Sequence, residues 1–123
     1  MNVLIVESRS QFGRIWQKHL ERQNMQVVRV ETQDAATEYI SEHQVDIIIL
    51  DLMIDGGCAL AVSDYANFRQ PSARVIFVTN TSFFSDGSIF SHAANAAAFL
   101  SASTPPEDLA AMVEHYGSLP RSA

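Results

Sequence analysis

The chain has 123 residues, 47% of them hydrophobic, and its 14 acidic against 8 basic side chains give a formal charge of −6. That length and apolar content support one domain around one core and exclude wholesale disorder. The acidic balance and the scattered Lys and Arg argue against a nucleic-acid surface, which needs clustered cations to meet phosphates.

Asn2 to Val6 reads as a first strand, because Val3, Leu4, Ile5 and Val6 are contiguous and apolar, the pattern of a strand buried on both faces. It runs into Glu7-Ser8, and Ser8 or Ser10 is placed to cap a helix. In that helix Phe12, Ile15, Trp16, His19 and Leu20 recur at helical spacing and form one apolar face, with Asn24 as the stop. Gln26 to Val30 is a second strand. Thr32 or Asp34 opens a second helix, with Ala35, Ala36, Tyr39 and Ile40 inward.

Ile47-Ile48-Ile49-Leu50 then forms the most apolar strand, and Asp51 stands at its carboxyl end. Open α/β sheets place ligand and reacting groups at that end. Asp55-Gly56-Gly57 is a turn, followed by a third helix with Cys58, Ala61, Tyr65 and Phe68 on one side, ended by Pro71. Arg74 to Thr79 is a fourth strand that ends in a hydroxyl. Asn80 to Ser88 reads as a loop in which one of Phe83 and Phe84 packs inward and the other is partly covered, with exposure toward a partner as the alternative. A short helix is expected over Ile89 to Asn95, a fifth strand over Ala97 to Ser101, and a last helix opening at Pro105-Pro106-Glu107. Leu109, Met112, Val113 and Tyr116 form its inner face, and Gly117 ends it.

Strands that alternate with helices predict a doubly wound five-stranded parallel sheet of the flavodoxin-like (βα)5 type. Residues 1–117 form the domain and 118–123 a short tail. Three strands end in a functional side chain, Glu7, Asp51 and Thr79, and in such a sheet those ends share one edge. Two carboxylates there suit a hard divalent cation such as Mg²⁺, and Asp51 is a candidate nucleophile toward phosphorus. Asp55 before Gly56-Gly57 reads first as a turn residue, with a metal carboxylate as the alternative. His19, His43, His92 and His115 lie on separate elements without metal-ligand spacing, and His19 is expected at a core edge. Cys58, the only cysteine, can form no internal disulfide and is expected as a small buried side chain. The chain opens on no export signal and holds no membrane-length apolar run, so a cytoplasmic location is expected. A flavodoxin-like cofactor binder is disfavoured, since Glu7-Ser8-Arg9-Ser10 lacks glycine for close approach to phosphate and no GxGxxG occurs.

Across almost its full length the chain resembles the receiver domains of bacterial response regulators. Val3 to Ser8 resembles their first strand and acidic pair, and Ile48 to Met53 the strand with the phospho-accepting aspartate. Val75 to Thr79 resembles the strand that ends in the switch hydroxyl, and Phe99-Leu100-Ser101 with Pro106 to Leu109 the fifth strand and last helix. The resemblance implies strand order 2-1-3-4-5 and a signalling module rather than an enzyme. It implies that Asp51 accepts phosphate from a histidine kinase or phosphotransfer protein. Mg²⁺ would be held by Glu7, Asp51 and the backbone carbonyl of Met53, with Asp55 as a further candidate. Thr79 would engage the phosphoryl group and Phe99 would act as the switch aromatic. The face of the last two helices and fifth strand would change its affinity for a downstream protein, in a monomer or weak homodimer that touches neither nucleic acid nor membrane.

Two departures from the family pattern bear on chemistry. Ser8 replaces the second acid. Ala102 stands where the family has lysine, and the only lysine of the chain, Lys18, lies in the first helix. With one ligand and one cation gone, weak Mg²⁺ binding and slow or absent phosphorylation are expected. An atypical phosphorelay receiver and a phosphorylation-independent interaction module remain the two readings.

Overall fold

A computed structural model describes residues 1–79 and 96–118. Among the described residues nine elements follow one another: β1 (Asn2–Val6), α1 (Ser10–Glu21), β2 (Gln26–Val30), α2 (Gln33–Glu42), β3 (Ile47–Asp51), α3 (Ala59–Arg69), β4 (Arg74–Thr79), β5 (Ala96–Ser101) and α4 (Pro106–Gly117). The expected loop with Phe83 and Phe84, the helix over Ile89–Asn95 and His92 lie outside the described residues.

All strand pairs are parallel, and the sheet order is β2-β1-β3-β4-β5. The contiguous aliphatic runs have their physical reason in this arrangement. Side chains alternate across a strand, so a strand covered on both faces needs apolar residues at every position. Leu4, Val6, Ile48, Leu50, Val75 and Phe77 enter one core layer with Ala36 and Ile40 of α2 and Val62 and Ala66 of α3. Val3, Ile5, Ile47, Ile49, Ile76 and Val78 enter the other, with Trp16 and Leu20 of α1 and Leu109 and Val113 of α4. Every residue of β3 is buried.

Local signals explain most boundaries. Asn24 takes φ 64°, the left-handed conformation that stops α1. The Thr32 hydroxyl caps α2 by accepting from the Ala35 amide at 3.2 Å. β5 begins at Ala96, one residue before the expected start, where Ala96 pairs with Val75; the register then shifts before Ile76 pairs with Ala98.

Three expectations are corrected. Neither Ser8 nor Ser10 caps α1; its N-cap is Arg9, without a side-chain cap bond, and the Ser8 hydroxyl donates to the Glu31 carbonyl at 2.7 Å instead. The inner face of α3 is Ala59, Val62, Ser63 and Ala66, whereas Phe68 is 81% exposed. Cys58 is exposed too, because it precedes the first turn of α3 rather than sharing its buried face.

The order of the sheet positions the site. The chain leaves β1 toward β2 on one side and returns to β3 on the other, so a crevice opens between the carboxyl ends of β1 and β3. Glu7 and Asp51 stand at those two ends.

Candidate acidic site at the sheet edge

Glu7 extends β1 by one step, since its amide donates to the Val30 carbonyl at 3.1 Å. By strand alternation it shares the side of Val3 and Ile5, as Asp51 shares that of Ile47 and Ile49. The two carboxyl groups thus lie on the α1 side of the sheet. Both are buried, at 0% and 2% exposure. Two buried carboxylates so close need a cation, because neither solvent nor apolar neighbours stabilise the charge.

Arg9 supplies it. Its Nε donates to Glu7 Oε1 at 3.0 Å and its Nη2 to Glu7 Oε2 at 3.2 Å. The same Nη2 donates to Asp51 Oδ2 at 3.2 Å. The Arg9 amide donates to Glu7 Oε1 at 2.9 Å, so the residue is held by its backbone as well as its head group. Below the guanidinium lies the Phe12 ring, 4.4 Å from ring centroid to Cζ, a cation–π contact. The remaining Asp51 oxygen, Oδ1, accepts from the Met53 amide at 2.9 Å. All four carboxylate oxygens are therefore engaged.

Burial pushes the Glu7 carboxyl above the ordinary carboxylate range; the Arg9 side chain and amide pull it back, and neighbouring Asp51 pushes it up again. Arg9 is raised, chiefly by its hydrogen bond to Glu7, and stays charged. The cluster sets two carboxyl groups against one guanidinium.

Thr79 is buried at the end of β4, in the strand beside β3 and one step beyond the Asp51–Val78 pairing. Its carbonyl accepts from the Ala102 amide at 2.7 Å, which brings Ala102 to the same edge. Phe99 is half-buried on β5, its ring 6.2 Å from that of Phe77. Met53 is 63% exposed. Asp55 is exposed and its amide donates to Ser8 Oγ at 2.7 Å. Ser8 thus ties the residue after β2 to the loop after β3. The edge brings Glu7, Asp51 and Thr79 to one rim and sets Asp55 on the periphery.

Sequence reading missed Arg9. The signal available was an arginine two residues after a strand-end acid, in a chain that lacks the expected lysine.

The donor set does not fit a divalent cation as it stands. Among the described residues no group of three or more His, Cys, Asp or Glu could hold a metal ion. Mg²⁺ demands near-octahedral oxygen ligands, and here three of the four carboxylate oxygens already face the Arg9 guanidinium, which a second cation would have to displace. Among the described residues no helix is long and apolar enough to cross a membrane.

Comparison with known proteins bears on this arrangement. No curated protein sequence matches the chain. Among solved structures it is similar to a response regulator receiver domain protein (CheY-like) from Methanospirillum hungatei, at 20% identity and TM-score 0.85, covering 94% of this chain and 92% of that one. It is similar to the non-phosphorylated HemR receiver domain from Leptospira biflexa, at 20% identity and TM-score 0.87, covering 99% and 98%. A third likeness is the response regulator protein TrrA from Thermotoga maritima in complex with Mg²⁺-BeF, at 17% identity and TM-score 0.81, covering 94% and 97%. These likenesses show the shared fold. The family model of the response regulator receiver domain matches residues 3–114, nearly the whole chain, and the protein therefore belongs to that family of two-component signalling modules.

Proposed function

We propose that this receiver domain is an atypical member of a phosphorelay, with Asp51 as the phosphoacceptor and output through protein contacts. The observation that carries the proposal is the position of Asp51, at the carboxyl end of the central strand and at the switch point of a receiver sheet. An Asp51 oxygen would attack the phosphorus of a phosphohistidine on a histidine kinase or phosphotransfer protein. The P–O bond forms as the P–N bond breaks, and the departing imidazole nitrogen keeps the electron pair and takes a proton. Thr79, at the same rim, is assigned to the phosphoryl oxygens, and Phe99 to the adjoining switch position. The likeness to a protein solved with Mg²⁺-BeF supports a phosphoryl-binding edge. Residues 1–117 are assigned to the domain, in a cytoplasmic setting.

A second reading has its own observation. Both Asp51 oxygens are engaged, one by Arg9 and one by the Met53 amide, in a side chain 2% exposed. A nucleophile so held reacts only after Arg9 moves, which favours a module that binds partners without phosphate.

Incubation with a small-molecule phosphodonor, with and without Mg²⁺, followed by intact mass measurement, decides between them. A single phosphate adduct that disappears in Asp51→Asn supports the phosphorelay. An unchanged mass, with partner binding equal in wild type and Asp51→Asn, supports the second reading.

A further inference from the structure

We propose that the Arg9 guanidinium is the resident cation of this site, seated between Glu7 and Asp51 in place of a divalent metal, and that it closes the native protein to Mg²⁺. The inference rests on the pocket and not on whether Asp51 accepts phosphate, so failure of phosphorylation leaves it standing.

Four observations converge on it. Arg9 contacts both oxygens of Glu7 and one of Asp51, and so joins two acids from different strands. Both acids are buried, so their pairing is not a surface contact averaged away by water. The arginine is pinned by its own amide to Glu7 Oε1 and by the Phe12 ring beneath it. Finally, the fourth oxygen, Asp51 Oδ1, accepts from the Met53 amide, which fixes the orientation of the carboxylate toward Arg9. A planar guanidinium with donors in a fixed fork suits two adjacent carboxylates, and it keeps its charge at every accessible pH.

A divalent ion must strip its own waters and displace this fork before it gains a ligand. Mg²⁺ dehydrates reluctantly and demands near-ideal octahedral geometry, so the exchange disfavours it. The departures noted in the sequence become coherent on this basis. Ser8 is no longer required as a metal acid and serves as a strap to Glu31 and Asp55.

The test is a Mn²⁺ titration, following free Mn²⁺ by electron paramagnetic resonance. Trp16 fluorescence serves as a second readout: Trp16 is the only tryptophan, and its ring lies 6.3 Å from that of Phe12. Wild type is expected to take up no Mn²⁺ at submillimolar concentration and to leave Trp16 emission unchanged. Arg9→Met, which keeps the bulk and removes the charge, is expected to gain roughly 10- to 100-fold in Mn²⁺ affinity, the range seen when groups around a metal site change. That gain should vanish in Arg9→Met combined with Asp51→Asn, and should be absent in Arg9→Lys. Submillimolar Mn²⁺ binding by wild type, or an Arg9→Met protein that binds no better than wild type, overturns the proposal. Should Arg9→Met not fold, the Arg9 Nε–H resonance of wild type decides: unmoved by added Mg²⁺ it supports the proposal, and shifted or lost it overturns it.

Discussion

At the scale of single residues, the energetics of the site turn on one arginine. Removal of one partner from a buried ion pair leaves an uncompensated charge, which costs about 3–5 kcal/mol. Arg9 is 31% exposed on its side chain, so some water reaches it and the lower end of that range applies. Arg9→Met is therefore expected to lose about 3 kcal/mol in urea unfolding, and Arg9→Met with Asp51→Asn should recover part of that loss. A double variant no more stable than the single one would show that Asp51 is not the charge Arg9 holds. The acids were legible in sequence because a carboxylate at the carboxyl end of a buried strand stands where open α/β sheets place their ligand groups. The arginine was not legible, because an arginine in a short loop usually points into solvent. Only the sheet order, which sets the ends of β1 and β3 side by side, shows that Glu7 and Asp51 make a pocket for it.

Among the elements, the strands were legible and the helix faces only in part. A doubly buried strand has no choice of side, so contiguous apolar runs located β1, β3 and β4 within a residue. Helix α3 is different. Ala59, Leu60, Ala61, Val62, Tyr65, Ala66 and Phe68 surround most of its circumference, so periodicity could not select a face. Packing chose the side of small residues, where the helix approaches closely, and left Phe68 outside. Val62→Ala is accordingly expected to cost about 2 kcal/mol in unfolding free energy, from lost burial and a residual cavity. Phe68→Ala should change stability by less than about 0.5 kcal/mol. The opposite ranking in urea midpoints would restore the face read from spacing. The end of α1 makes a separate claim. Asn24 at φ 64° tolerates the left-handed region, where alanine is disfavoured by about 1–2 kcal/mol. Asn24→Ala should lower the unfolding free energy by about 1 kcal/mol, and Asn24→Gly should leave it unchanged or slightly higher.

For the molecule as a whole, the buried acid couples stability to pH. The folded state raises the Glu7 carboxyl, first through burial, and the opposing bonds from Arg9 do not cancel this. A group whose pKa is raised on folding binds its proton more readily in the native state than in the unfolded chain. Its contribution to stability is therefore complete below the unfolded value, about 4.3 for glutamate, and is lost as pH rises through the higher folded value. Above that window Glu7 is ionised, and the protein carries a buried pair of like charges against one guanidinium. Glu7→Gln reproduces the protonated carboxyl at every pH, so it removes the Glu7 titration while leaving the carboxylates away from the pocket in place. Urea midpoints of wild type and Glu7→Gln, measured between about pH 4 and pH 8, should diverge in one direction. The variant gains on wild type as pH rises through the folded value of Glu7, and the gap then stays constant. A gap that narrows with rising pH would mean that Arg9 outweighs burial and draws Glu7 below its ordinary range. The pocket would then hold its carboxylate charge at no net cost to folding, whereas a widening gap makes it a cost that the surrounding apolar layers must offset.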